Sequence, residues 1–378
     1  MERCGFAVSG HYSRREGERQ RAPGQGVRSM GSTRRCWCML LDLLENLPLR
    51  CALGKPKALA TRPLFPSARA ILDRHIDVEY WTAPERIPRA ELLARVEDKD
   101  ALVCLLTEQV DEELLGRAPA LRIAATVSVG YDNIDVPACT RRRVIATNTP
   151  GVLDETTADF TWTLLLAIAR RLVEGDAWTR SGTWPGWDLD QLLGSDIWGK
   201  TLGIVGLGRI GVAVARRASG FQMRVLYSNR SRLSQERERE LSAEYASLDT
   251  LLRESDFVTL HVPLTPDTRH LISTAAFEKM KRNAYLINTA RGPIVDEAAL
   301  VDALDRQLIR GAALDVYERE PAVDPALISC KDVILAPHLA SASIETRTKM
   351  AVMAATNVAA LFEGRRPPNA LNADLLGP

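Results

Sequence analysis

From residue 55 onward, short apolar runs alternate with stretches of helical period, and this alternation restricts the fold more than any other feature of the 378-residue chain. Strands are expected at 57–61, 76–80, 101–106, 122–127 and 144–147, separated by helices at 68–75, 89–96 (opened by Pro88) and 112–117. Near-continuous apolar runs suit strands buried on both faces, and parallel strands need helical crossovers between them. An open parallel sheet covered by helices follows. A long apolar helix is expected at 156–172. A second series then starts at Lys200, with strands at 201–205, 223–227, 257–261, 284–288, 312–316 and 333–335 and helices at 209–218, 248–253, 274–280 and 297–307. A last helix, 344–362, is stopped by Gly364 and the Pro367-Pro368 pair. The fold class is therefore α/β, with two such units and no internal sequence repeat.

Composition excludes several function classes. With 49 basic against 48 acidic side chains the net charge is +1, too weak a field for a nucleic-acid binder driven by phosphate contacts. The longest apolar stretch, 162–169, is far shorter than the roughly 20 residues of a membrane span. The average hides a partition. Residues 1–54 hold 9 Arg, no Lys and 5 acids, whereas 55–378 hold 40 basic and 43 acidic groups. This leader has hardly any apolar periodicity up to Arg28 and reads as disordered, either a true extension or the product of a wrongly chosen start. Glu2, Glu16 and Glu18 argue against a transit sequence. Cys36 and Cys38 with His11 make too weak a pattern for a metal site, so no metal is expected. Cys104, Cys139 and Cys330 are scattered, which fits a reducing, cytoplasmic setting rather than a disulfide framework.

Gly206-Leu207-Gly208-Arg209-Ile210-Gly211 follows an expected strand and opens an expected helix. In that context the first glycine makes a tight turn, the second lets a pyrophosphate approach the backbone, and the third lets the helix pack on the strand. A dinucleotide site is implied. At the tip of the next strand, where an acid would bond the adenosine ribose, the chain reads Ser228-Asn229-Arg230-Ser231-Arg232. Two guanidinium groups and no carboxylate suit a 2′-phosphate, so NADPH is expected to be preferred, with NADH as the weaker partner.

Three further strand ends carry useful groups: Asn288-Thr289-Ala290-Arg291-Gly292, Asp315-Val316-Tyr317-Glu318-Arg319-Glu320-Pro321, and Pro337-His338-Leu339-Ala340-Ser341. Arg291, Glu320 and His338 are thereby expected at one carboxyl edge of one sheet, where α/β sheets bind ligands. An Arg there suits a carboxylate. Four of the seven Trp, namely Trp178, Trp184, Trp187 and Trp198, crowd into 21 positions, a density that suggests a subunit contact.

These motifs, with Ser128-Val129-Gly130-Tyr131-Asp132-Asn133-Ile134-Asp135, resemble in order and spacing the D-isomer-specific 2-hydroxyacid dehydrogenase family, and within it the glyoxylate/hydroxypyruvate reductase branch. The resemblance runs from Lys55 to about Ala373. It implies two Rossmann-like or flavodoxin-like domains, with an NAD(P)-binding domain at 153–340 inserted into a discontinuous substrate domain at 55–152 and 341–378, and a dimerisation segment at 155–199. It implies that Arg291 holds the substrate carboxylate and polarises the carbonyl, that His338 is the general acid, and that Glu320 orients His338 and favours its protonated form. The backbone of Val129 and Gly130 would also bind the carboxylate. Arg209 and Ile210 would meet the pyrophosphate, Asn229 takes the place of the ribose-binding acid, and Pro263, Thr268, Thr289, Ala290, Asp315 and Ser341 fall at cofactor contacts. Trp187, or less suitably Trp184, would reach the partner's active site in a homodimer and limit substrate size. Ala340 departs from the glycine common at that position.

The implied activity is reduction of a small 2-oxoacid, glyoxylate or hydroxypyruvate, by hydride transfer from NADPH. A D-lactate or phosphoglycerate type of dehydrogenase is the near alternative. A dinucleotide-sensing corepressor on the same fold is the alternative of another class. Neither a nucleic-acid nor a membrane partner is expected.

Overall fold

In the computed structural model, residues 54–376 are described; the basic leader, with Cys36, Cys38 and His11, lies outside the described residues. The first lobe runs β1 (Lys57–Ala60), α1 (Pro66–His75), β2 (Asp77–Tyr80), α2 (Arg89–Arg95), β3 (Ala101–Cys104), α3 (Glu112–Arg117), β4 (Ile123–Thr126), α4 (Val136–Arg141) and β5 (Ile145–Thr147). Its all-parallel sheet has the order β2-β1-β3-β4-β5. Every residue of β3, β4 and β5 is buried, because helices cover both faces and leave no solvent side for polar alternation. Asp111 and Asp135 start α3 and α4 by accepting the Leu114 and Ala138 N–H groups at 3.0 and 2.9 Å.

The second lobe runs α5 (Asp154–Ala169), α6 (Leu172–Arg180), β6 (Thr201–Val205), α7 (Arg209–Ala218), β7 (Arg224–Ser228), α8 (Gln235–Leu241), β8 (Ala243–Tyr245), α9 (Leu248–Glu254), β9 (Phe257–Leu260), α10 (Thr274–Phe277), β10 (Tyr285–Asn288), α11 (Glu297–Asp305), β11 (Gly311–Leu314), α12 (Pro325–Ser329) and β12 (Val333–Leu335). Its sheet, also all parallel, has the order β12-β11-β10-β9-β6-β7-β8. The order reverses between β6 and β9, which opens a crevice beyond their carboxyl ends. Two apolar layers sandwich the sheet. One joins Trp162, Leu165 and Ile168 of α5 to Ala213 and Val214 of α7, and the other joins Leu251, Phe277 and Leu300 from α9, α10 and α11.

The chain then returns. Helix α13 (Ile344–Phe362) packs on α1 and on β3 and β4 of the first lobe. Its Ala351, Ala354, Ala355 and Val358 lie against Ala58, Ala60, Ala101 and Ile123, small side chains that let helix and sheet approach closely. The tail pairs antiparallel with β5 at Thr147 and Ala370, and Asn372 accepts the Ala146 N–H at 3.0 Å. A hydrogen bond of 2.6 Å between the Thr156 and Thr346 hydroxyls ties the first turns of α5 and α13, where the chain crosses between lobes. The chain thus ends on the sheet with which it began.

The expected helix at 156–172 is divided in the structure. α5 stops at Ala169, Arg171 takes a left-handed φ of 51°, and α6 begins at Leu172. The Ala169 carbonyl accepts the Ser195 N–H at 2.8 Å, a contact from a distant segment that local periodicity does not contain. α4, α8, β8 and α12 also lie outside the expected elements. All four are short, and a period needs about three turns to declare itself. No helix among the described residues is long and apolar enough to cross a membrane.

Candidate active site

The carboxyl ends of β6, β7, β9, β10, β11 and β12 carry the glycine motif and the polar groups singled out in the second lobe, whereas the four tryptophans lie in α6 and the segment after it. Gly206 ends β6 with φ at 98°, and a Cβ there would stand 2.7 Å from the His261 carbonyl carbon. A Cβ on Gly211 would stand 2.3 Å from the Gly206 carbonyl oxygen, so the third glycine permits close packing of α7 on the turn. Nothing lies within 4 Å of a Cβ built on Gly208, which is exposed. The cradle is tight against its own chain and open where a phosphate would approach. Gly208 caps α7 without a side-chain acceptor, so the first N–H groups of a ten-residue helix point into this opening. Arg209 is exposed and Ile210 half-buried at that end. These residues fit a dinucleotide pyrophosphate.

Asn229 ends β7, and its Oδ1 accepts the Leu207 N–H at 2.6 Å, bracing the glycine loop from the strand tip that carries no acid. Ser231 follows in the exposed stretch beyond it. The two arginines differ. Arg230 is exposed and makes no hydrogen bond or ion pair among the described residues, whereas Arg232 commits its fork to Glu238, with Nε and Nη2 each 2.8 Å from a carboxylate oxygen. The Arg232 contact, followed by the Tyr227 hydroxyl at 2.7 Å, holds the Glu238 carboxyl down at about 2. Of the two guanidinium groups expected at a 2′-phosphate, Arg230 is without a partner among the described residues and Arg232 is paired with Glu238.

Several expected cofactor contacts turn their polar atoms inward. The Thr289 hydroxyl meets that of Thr161 at 2.9 Å, and Thr268 Oγ1 donates to the Pro263 carbonyl at 2.7 Å and accepts the Thr265 N–H at 2.7 Å. Asp315 is fully buried, and its carboxylate accepts the Leu339 and Ala340 N–H groups at 2.6 and 2.8 Å. Burial pushes this carboxyl up, against the pull of those two N–H groups. Its side chain braces the loop that carries His338. Ala340 is buried without entering the left-handed region, so its methyl group brings no backbone strain; Ser341 is half-buried beside it.

His338 Nδ1 lies 2.9 Å from Glu320 Oε2, and the other Glu320 oxygen accepts the Tyr317 N–H at 3.1 Å. Burial raises the Glu320 carboxyl, but the His338 contact and charge, the Tyr317 N–H and the nearby Arg291 outweigh it and leave the group below its ordinary value. The carboxylate stays charged beside the imidazole. His338 is about a quarter exposed, which leaves the ring accessible from the crevice.

Arg291 projects from the turn after β10 towards the first lobe. Asn288, a residue the sequence reading did not single out, shapes that turn: its Oδ1 accepts the Ala290 N–H at 3.0 Å and its Nδ2 donates to the Arg291 carbonyl at 2.9 Å. An Asn at a strand end before a Gly-Pro turn is the signal that could have found it. Across the cleft, a Cβ on Gly130 would lie 1.6 Å from Arg291 Nη2, so the guanidinium rests directly over the Val129-Gly130 backbone. Asp132, also not singled out, takes Arg291 Nε at 3.0 Å. Trp187 is 78% exposed and packs on nothing in its own chain's Arg291 and His338 region.

A cavity of about 460 Å³ lies elsewhere. It opens at the strand-start edge of the second sheet, lined by Ile168, Trp178, Tyr285, Arg310, Lys331 and Val333.

Residues 162–340 match the model of the D-isomer specific 2-hydroxyacid dehydrogenase, NAD binding domain. Over 85% of this chain and 98% of the relative, the sequence is 51% identical to a glyoxylate reductase of Thermococcus kodakarensis. A crystal structure of a Thermus thermophilus protein superposes with a TM-score of 0.79 at 44% identity, covering 83% of this chain and 99% of that one. An NADPH-dependent glyoxylate/hydroxypyruvate reductase from Sinorhizobium meliloti, solved with NADP and malonate, superposes at 0.76 with 32% identity over 85% and 98% of the two chains. With the parallel sheets, the glycine cradle and the histidine–glutamate pair on one fold shared with these relatives, the chain belongs to the D-isomer-specific 2-hydroxyacid dehydrogenases, NAD(P)-dependent oxidoreductases, in their glyoxylate reductase branch.

Proposed function

We propose that this enzyme reduces glyoxylate or hydroxypyruvate to the D-2-hydroxyacid, with NADPH preferred over NADH. The observation that carries the reading is the meeting of Arg291 with the Val129-Gly130 backbone at the same cleft edge as the paired His338 and Glu320. A bound nicotinamide dinucleotide supplies the hydride. Arg291 and the Val129 and Gly130 N–H groups hold the substrate carboxylate, and the guanidinium draws charge from the adjacent carbonyl. His338, its Nδ1 fixed by Glu320, donates the proton from Nε2 to the carbonyl oxygen.

NADPH preference is supported by the absence of an acid at the tip of β7 and by the free Arg230 with Ser231 beside it. Residues 153–340 are assigned the cofactor and the remainder of 55–378 the substrate. A homodimer is supported by the exposed Leu172, Val173, Trp184, Trp187, Leu189 and Leu193, which make α6 and the following loop an apolar surface beside the 460 Å³ cavity. In that dimer Trp187 limits substrate size at the partner's cleft. Three free cysteines among the described residues, two of them buried, support a reducing cytoplasmic setting. Steady-state rates over a panel of 2-oxoacids with both cofactors test the reading. Fastest turnover of glyoxylate or hydroxypyruvate with NADPH is expected; a panel led by pyruvate or a phosphorylated oxoacid points to the D-lactate or phosphoglycerate type, and no turnover at all to a dinucleotide-sensing module.

A further inference from the structure

We infer that Asp132 is a positioning residue, an interlobe latch that fixes the guanidinium of Arg291 over the carboxylate-binding backbone. The inference rests on the function proposed above and adds to it a residue of the first lobe.

Asp132 and Arg291 are 159 positions apart and belong to opposite lobes, yet Nε and Oδ1 meet at 3.0 Å. The guanidinium is held on two further sides. Nη1 donates to the Ala290 carbonyl at 2.9 Å, and Nη2 lies over Gly130, where only a residue without a Cβ leaves room. Asp132 thus takes Nε beside Gly130, its Oδ1 only 3.1 Å from where a Cβ on that glycine would stand, and so pins the guanidinium over the carboxylate-binding backbone. The loop that presents Asp132 is itself rigid. Asn133 Nδ2 donates to the Leu105 and Glu108 carbonyls at 3.0 and 2.9 Å, and Ser128 Oγ donates to the Gly130 carbonyl at 2.6 Å. On the other side of the cleft, the bonds made by Asn288 fix the turn that bears Arg291. Two rigid loops meet through one ion pair.

The physical consequence is orientation. A free guanidinium on a four-bond stem samples many directions, and a carboxylate that captures it must supply that ordering as part of binding. With Nε held, the fork is already set. Asp132 is about two-fifths exposed, so solvent screens the pair and the effect is moderate.

Asp132→Ala and Asp132→Asn in the full chain test the inference. The alanine variant is expected to raise KM for the 2-oxoacid about fivefold to tenfold, with a smaller change in kcat and in KM for NADPH; the asparagine variant keeps an oxygen for Nε and recovers most of the loss. Hydrogen exchange gives a second reading that needs no turnover. Segments 128–134 and 288–292, on opposite lobes, should lose protection together in the alanine variant and less in the asparagine variant. An unchanged or lowered KM in Asp132→Ala, or equal losses in kcat and cofactor KM, overturns the latch, as does unaltered exchange in either segment. If the wild-type enzyme turns over no 2-oxoacid, the functional reading fails by itself, and the exchange measurement still decides whether Asp132 joins the lobes.

Discussion

Asp315 holds His338 through the main chain: its carbonyl oxygen accepts the His338 N–H at 2.9 Å, and its carboxylate accepts the next two N–H groups at 2.6 and 2.8 Å. His338 needs that restraint, since its φ of 57° is a left-handed conformation that a residue with a Cβ adopts only under compulsion. Asp315→Asn replaces one acceptor oxygen by an NH₂ group facing a backbone N–H. It should destabilise the fold by about 1–3 kcal/mol, measured by urea unfolding. The loop it releases carries the acid, so kcat should fall by about tenfold or more while NADPH affinity changes little. A kcat equal to wild type would show that the loop keeps its shape without Asp315.

Gly130 makes a contrasting case, because the atom in the way of a new side chain is the movable tip of Arg291. Gly130→Ala should therefore leave the unfolding midpoint nearly unchanged, since the guanidinium can swing into the cleft. Function has no such freedom. Displacing the fork by even about 1 Å should cost about a hundredfold in kcat/KM for the 2-oxoacid. A stable variant with wild-type kcat/KM would remove the guanidinium from the substrate site.

What could be read ahead of the structure follows the range of each interaction. β6, α7 and α13 have the expected bounds because strand burial, a glycine turn and helical period are written in neighbouring residues. The grouping of Arg291, Glu320 and His338 was also legible, since every strand of a parallel sheet ends at the same edge. The break at Arg171 was not, because it depends on Ser195 reaching Ala169. Arg232 looked as free as Arg230 until Glu238, six positions on in α8, was brought beneath it. Asp132 carries no local mark of its partner. The inward turn of Thr289 and Thr268 depends likewise on which atoms pack behind the loop.

Glu320 links pH to stability. Its folded carboxyl lies below the ordinary value, so its stabilising contribution is complete above the unfolded value of about 4.3 and fades as pH falls through the lower folded value. Glu320→Gln should be less stable than wild type at neutral pH, and the difference should shrink in acid unfolding below about pH 4. The same substitution replaces the carboxylate that fixes His338 Nδ1 at 2.9 Å. A ring held less firmly should lower kcat by about tenfold or more and change NADPH affinity little. A kcat equal to wild type would mean that the ring keeps its place without Glu320.

Cofactor choice separates the two arginines after β7. Arg230 is unpaired among the described residues, so Arg230→Ala should remove a charge-assisted contact made only with the 2′-phosphate, lowering kcat/KM for NADPH by about tenfold and leaving NADH nearly unchanged. Added salt should narrow the gap between wild type and variant with NADPH, because screening weakens an exposed contact. Arg232→Ala acts differently. It deprives Glu238 of its fork and leaves that carboxylate with the Tyr227 hydroxyl alone, which loosens the loop under both cofactors. Its losses with NADPH and NADH should be similar, and the NADPH:NADH ratio of kcat/KM should stay near that of wild type. If Arg232→Ala instead lowers that ratio as much as Arg230→Ala does, the guanidinium leaves Glu238 for the phosphate, and the two arginines act as one site.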